Sequence, residues 1–173
     1  MKIDLMMTAE AKNKLVTIPY TGTQGLYASV LPDAGATFHI MEIAKELGTD
    51  TLRDKLHVTV IYSKKAIPDP FKEVVTNYYE GYITHVDSWV GHNGKTCVVL
   101  KLASMELIQQ FAAFQKAGAE HTFIPYSPHF TLSSDFEVDD ALKEKMKVIN
   151  ARLAADPVRI KMIDLTISDL DDD

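Results

Sequence analysis

The chain repeats itself around two short histidine-bearing segments, and that repeat limits its possible folds more than any other feature. His57-Val58-Thr59-Val60 and His129-Phe130-Thr131-Leu132 share the pattern His-x-Thr with apolar residues between and after. Laying His57 on His129 also lays residues 26–31 on 98–103 and residues 35–47 on 107–119, without a gap. Each half then reads as strand, helix, polar spacer and a strand carrying His-x-Thr. Chance gives any one of these matches easily and the joint match of order, length and motif rarely. The simplest architecture is α+β and bilobal, with two lobes related by a pseudo-twofold and facing each other across a central cleft.

The element boundaries follow from punctuation and periodicity. Residues 25–31 and 56–62 read as strands, the second rich in β-branched residues. Between them, residues 35–47 form a helix with Ile40, Ile43 and Leu47 on one stripe and Gly48 past its end. Two further strands are expected at 79–90 and 96–102. A helix follows over 104–117, capped by Ser104 and stopped by Gly118, with Leu107, Phe111 and Phe114 inward. A strand at 128–133 carries the second motif. A third helix over 139–154 aligns Leu142, Met146, Ile149 and Leu153 before Pro157, and the last strand is 158–167. No low-complexity linker divides the chain. Residues 1–173 therefore read as a single domain, with an N-terminal extension at 1–23 and an acidic tail at 169–173.

Side chains alternate along a strand, so His57 and Thr59 share one face while Val58 and Val60 take the other. His129 and Thr131 behave in the same way. Two such strands brought together offer two imidazoles and two hydroxyls. That set suits cleavage of a phosphodiester. A neutral imidazole accepts the proton of an attacking hydroxyl, and an imidazolium protonates the departing oxygen; histidine supplies both states near neutral pH. The threonine hydroxyls donate to the non-bridging phosphate oxygens as charge develops. The repeat makes the histidines near-equivalent, so the base and the acid are not distinguished at this level. The scheme requires no metal and no cofactor. His39, His85, His92 and His121 show no helical pairing with a third ligand, as a catalytic zinc site would.

Composition narrows the partners. The formal net charge is -6 over 173 residues, which disfavours a long nucleic acid held by phosphate neutralisation. A small anion in a local basic cleft remains compatible. No apolar run reaches the length of a membrane span, and no secretory leader is evident. With Cys97 as the single cysteine, no internal disulfide can form and a reducing, cytoplasmic setting is expected.

The two motifs, within KLHVTVIYSKK and YSPHFTLSSD, resemble those of the 2H phosphoesterase superfamily over residues 24–168. Together with DSWVGHNGK between them, they look most like the phage anti-CBASS nucleases. The resemblance implies a bilobal, LigT-like fold and metal-free phosphodiesterase chemistry, with His57, Thr59, His129 and Thr131 as the working residues. It also implies a cyclic oligonucleotide substrate, destroyed in the host bacterial cytoplasm during phage infection. Two alternatives stand beside it: an enzyme opening 2′,3′-cyclic phosphates at RNA ends, and a non-catalytic cyclic-nucleotide sponge.

A cyclic nucleotide also needs surfaces for its bases, and stacking on an aromatic side chain is worth about 1–3 kcal/mol per base. Tyr27, Tyr62, Trp89 and Tyr126 are the candidates, with Tyr27 foremost because its strand should lie beside the motif strand of its own lobe. Lys64, just after the first motif, is a candidate for a second phosphate.

Overall fold

Helices form where an apolar stripe lies between a cap and a stop. The computed structural model describes residues 16–17, 20–91 and 93–170. Most of the N-terminal extension, His92 and residues 171–173 lie outside these. Helix α1 (Ala34–Leu47) begins at Asp33, whose carboxylate accepts the Ala36 N–H at 2.7 Å. It ends at Gly48, where a φ of 75° is left-handed and lets the N–H reach back to the Ala44 and Lys45 carbonyls. Helix α2 (Met105–Lys116) is capped by the Ser104 hydroxyl on the Leu107 N–H, and α3 (Asp140–Ala155) by Asp139 on the Leu142 N–H. Their buried stripes include Ile40, Ile43 and Leu47, then Leu107, Phe111 and Phe114, then Leu142, Ile149 and Leu153. None of the helices described is long and apolar enough to cross a membrane.

The strands are β1 (Val16–Thr17), β2 (Leu26–Pro32), β3 (Val58–Ser63), β4 (Tyr79–Val90), β5 (Thr96–Ala103), β6 (His129–Ser133) and β7 (Val158–Ser168). They form one seven-stranded sheet in the order β3-β2-β7-β4-β5-β6, with β1 added alongside β7. Every pair on that path is antiparallel. Pairing of β4 with β7 stops at Met162, and β1 lies parallel to β7 farther along, at Thr166 and Ile167.

This order is symmetric about the β4–β7 pair. On one side lie β2 and then β3; on the other lie β5 and then β6. The repeated strands therefore occupy equivalent places, and the motif strands end the path on both sides. The sheet curls until those ends meet: the Thr51 hydroxyl donates to the Leu132 carbonyl at 2.9 Å, and the Tyr126 hydroxyl to the Thr59 carbonyl at 3.1 Å. Beneath the motifs, Val58, Val60, Phe130 and Leu132 belong to one continuous hydrophobic cluster that includes residues of all three helices. The result is the bilobal α+β fold expected from the repeat, with the motif strands side by side between the lobes.

One expectation needs correction. His57 precedes β3 instead of lying within it, because Arg53–Lys55 make a single 3-10 turn that delays entry into the strand. The acidic run of the sequence opens with Asp169. Its carboxylate accepts hydrogen bonds from the Thr21 N–H, the Thr21 hydroxyl and the Gly22 N–H, and Leu170 is buried.

Candidate active site

The backbone that carries each histidine also orients it. His57 Nδ1 lies 2.9 Å from the Lys55 carbonyl, and His129 Nδ1 lies 2.7 Å from the Ser127 carbonyl. A carbonyl oxygen only accepts, so Nδ1 carries the hydrogen in both rings. Nε2 is then the nitrogen left to take or give a proton. Both contacts span the same two residues, so the repeat extends from sequence to tautomer. The lobes differ in burial. His57 is exposed, whereas His129 is partly buried and meets the Trp89 ring edge-to-face at 4.9 Å. Burial holds His129 below the ordinary histidine pKa, the nearby charges of Lys101 and His57 push the same way, and the Ser127 hydrogen bond opposes them.

A second regularity is invisible to simple alternation. The β2–β3 register slips between Ala28 and Ser29, which face Ile61 and Thr59, so Val60 is an extra residue. The β5–β6 register slips between Val98 and Val99, which face Ser133 and Thr131, leaving Leu132 extra. These positions coincide in the repeat. Strict alternation would send Tyr62 to the face opposite Thr59. The bulge brings it back, directly across from Tyr27, with the two rings 6.3 Å apart and near perpendicular. The Tyr27 hydroxyl lies 3.3 Å from the Thr59 hydroxyl. Phe123 adds a third ring, 5.7 Å from Tyr62.

The other residues singled out from sequence fall differently. Thr131 is exposed on β6. Tyr126 stacks on Phe111 with centroids 4.3 Å apart and planes 10° apart, and its hydroxyl donates to the backbone of the opposite motif strand. Burial pushes that hydroxyl well above the usual tyrosine range, so it stays a donor. One face of Trp89 is covered by the Lys101 ammonium, 4.3 Å from the ring centroid. Lys64 is exposed beyond β3, while its neighbour Lys65 pairs with Glu120 at 2.9 Å. Among the described residues no group of three or more His, Cys, Asp or Glu is gathered as a metal ion would need.

Sequence reasoning missed Lys101 and Ser127, and gave His121 no partner. Lys101 carries a signal: it is a lone cation in the otherwise apolar run Val98-Val99-Leu100-Lys101-Leu102. His121 carries none. It lies against Phe111, Phe123 and Tyr126, and its Nδ1 accepts the Tyr62 N–H at 3.0 Å. An imidazolium has no lone pair for that bond, and burial lowers the His121 pKa. Its contribution to stability is therefore complete above the unfolded value of about 6.5 and is lost as pH falls through the lower folded value. Thermal unfolding followed from about pH 7.5 to about pH 5 should show an acid-side drop. His121→Gln, whose amide oxygen can still accept, should make that drop smaller. An identical drop in the variant would remove His121 from the account.

Comparisons with known proteins bear on this arrangement. Residues 24–169 match the family model described as anti-CBASS protein Acb1. The anti-CBASS protein Acb1 of Vibrio phage KVP40 is 32% identical over 115 residues, which cover 65% of this chain and 74% of that protein. The Escherichia phage RB16 protein of the same name is 30% identical over 118 residues, covering 67% of this chain and 66% of that protein. Among solved structures, E. coli LigT complexed with 3′-AMP aligns with a TM-score of 0.48 at 15% identity, over 83% of this chain and 86% of that one. Both His-x-Thr motifs lie inside the matched span, and the chain belongs to the anti-CBASS protein Acb1 family.

Proposed function

We propose that this chain is a phosphodiesterase that opens 3′–5′ linked cyclic di- and trinucleotides, disarming the CBASS immunity of a bacterial host. Family membership supplies the biological setting. The observation that carries the chemistry is the pair of imidazoles, each fixed in the same tautomer by a backbone carbonyl two residues before it.

The roles follow from the asymmetry between the lobes. His129, whose neutral form is favoured by burial and by two neighbouring cationic groups, takes the proton of the attacking hydroxyl at Nε2. His57, more exposed, gives a proton to the departing oxygen. The hydroxyls of Thr59 and Thr131 hold the non-bridging oxygens, and Tyr27 keeps Thr59 oriented through the hydroxyl contact. Tyr27 and Tyr62 form the platform for a base on the His57 side. Trp89 walls the His129 side, and Tyr126 ties the two motif strands together.

The direct test is incubation of the purified chain with a panel of ribose cyclic di- and trinucleotides in EDTA, with the products resolved by chromatography. At least one ring should be linearised at a rate that chelation leaves unchanged. Loss of activity in EDTA with recovery on adding a divalent ion would sink the metal-free scheme. Binding of every ring without cleavage would favour a sponge. Cleavage confined to 2′,3′-cyclic RNA ends would move the substrate class.

A further inference from the structure

Lys101 lies on β5 directly opposite His129 on β6, so both side chains leave the same face of the sheet. Its neighbours Val98, Val99 and Leu100 are fully buried and Leu102 nearly so. The lysine is the one charged residue of that strand, and its head is held in place. The ammonium donates to the Ser127 hydroxyl at 2.7 Å and rests over the Trp89 ring. Ser127 thus has two attachments at the site: its carbonyl orients His129 and its hydroxyl orients Lys101.

Among the described residues the lysine pairs with no carboxylate. Other described lysines, Lys64 among them, also lack an ion pair, but Lys101 alone lies opposite His129 with its head held by Ser127 and Trp89. An ammonium offers three N–H donors; one is used on Ser127, and an aromatic face accepts no conventional hydrogen bond. The ammonium discourages His129 from charging, and its remaining donors are available to an anion that arrives between the two. The repeat provides no equivalent: Ser29 falls on Lys101 when the halves are laid together, and it is buried opposite Thr59.

We propose that Lys101 is a further catalytic residue of the phosphodiesterase reaction, donating to a non-bridging oxygen of the scissile phosphate beside His129. The proposal rests on the functional reading above. In that reaction the ribose 2′-oxygen forms a bond to phosphorus and the bond from phosphorus to the 5′-oxygen breaks. The 2′-hydroxyl proton goes to His129 and a proton from His57 goes to the leaving oxygen. Lys101 transfers nothing and stays an ammonium throughout. A phosphodiester carries one negative charge and the five-coordinate state approaches two, so a fixed cation stabilises the transition state more than the ground state.

The test compares Lys101→Met and Lys101→Arg with the unaltered chain. Turnover of the ribose cyclic dinucleotide it cuts fastest is followed from about pH 5.5 to about pH 9. Calorimetry measures binding of inorganic phosphate, and melting curves confirm the fold. Lys101→Met should lower kcat/KM by about 10²–10³-fold at every pH, as loss of one transition-state donor does, and should weaken phosphate binding. Lys101→Arg should recover most of both. A Met variant within about threefold of the parent at its best pH would overturn the proposal. A loss confined to acid pH would overturn it as well, because Lys101 would then act only through the ionisation of His129. Should the unaltered chain open no cyclic nucleotide, the functional reading alone fails. The phosphate contact is then decided by calorimetry: binding lost in Lys101→Met upholds it, and equal or absent binding in both overturns it.

Discussion

Replacing His129 with alanine should cut turnover of a 3′–5′ cyclic dinucleotide by about 10²–10⁴-fold, the usual worth of a positioned acid or base. His57→Ala should cost a similar factor through the other proton. The prediction is sharp because both rings are held by main-chain carbonyls. Removing a side chain therefore deletes only the proposed proton carrier and leaves the backbone that oriented it. The buried residues beneath the motifs, Val58, Val60, Phe130 and Leu132, are untouched by either change, so melting temperatures should stay near that of the parent. Rate against pH should be bell-shaped in the unaltered chain, since one imidazole must be neutral and the other charged. With His129 as base and its pKa held down by burial, the acid limb should lie below the ordinary histidine value of about 6.5. In His129→Ala that limb should vanish while the alkaline limb remains. Near-normal turnover from either variant, with an unchanged melting profile, would refute the assignment.

Much of this arrangement was legible in the chain because local and repeated signals agreed. Ser104 and Gly48 mark helix ends by their chemistry at single positions, and the stripes through Ile40, Ile43 and Leu47, or Leu107, Phe111 and Phe114, state which face is inward. The repeat then placed the motif strands in equivalent positions without any knowledge of the sheet order. Features that depend on long-range register were hidden. The bulges at Val60 and Leu132 leave no mark in an apolar run, yet the first decides that Tyr62 faces Thr59 and Tyr27. The curl of the sheet depends on contacts such as Tyr126 with the Thr59 carbonyl, between residues far apart in sequence. The difference between the two histidines arises the same way. Equivalent in sequence, they differ because Trp89 from β4 and Lys101 from β5 reach one of them only.

A cyclic dinucleotide lacking its ribose 2′-hydroxyls should bind this chain and resist cleavage, with turnover lower by about 10⁵-fold or beyond detection. The reason lies in what the assembled side chains can do. In the proposed scheme two imidazoles move protons and two threonine hydroxyls hold phosphate oxygens, and none of the four attacks phosphorus. The base therefore needs an oxygen already poised beside the phosphate. The ribose 2′-hydroxyl is covalently held there, and well-oriented intramolecular attack reaches effective molarities of about 10⁵–10⁸ M. Water admitted to the same position has no comparable advantage. The ribose substrate should open through a 2′,3′-cyclic phosphate, and any further hydrolysis by the same histidines, with acid and base exchanged, should leave a terminal 2′- or 3′-phosphate. Calorimetry with the deoxy analogue separates failure to bind from failure to react. Mass spectrometry of products formed in heavy-oxygen water then reads the route directly, since the cyclic intermediate should carry no label and its hydrolysis product one labelled oxygen. Rapid cleavage of the deoxy analogue, or products bearing 5′-phosphates and free 3′-hydroxyls, would show that water attacks directly and that the 2′-oxygen is a bystander.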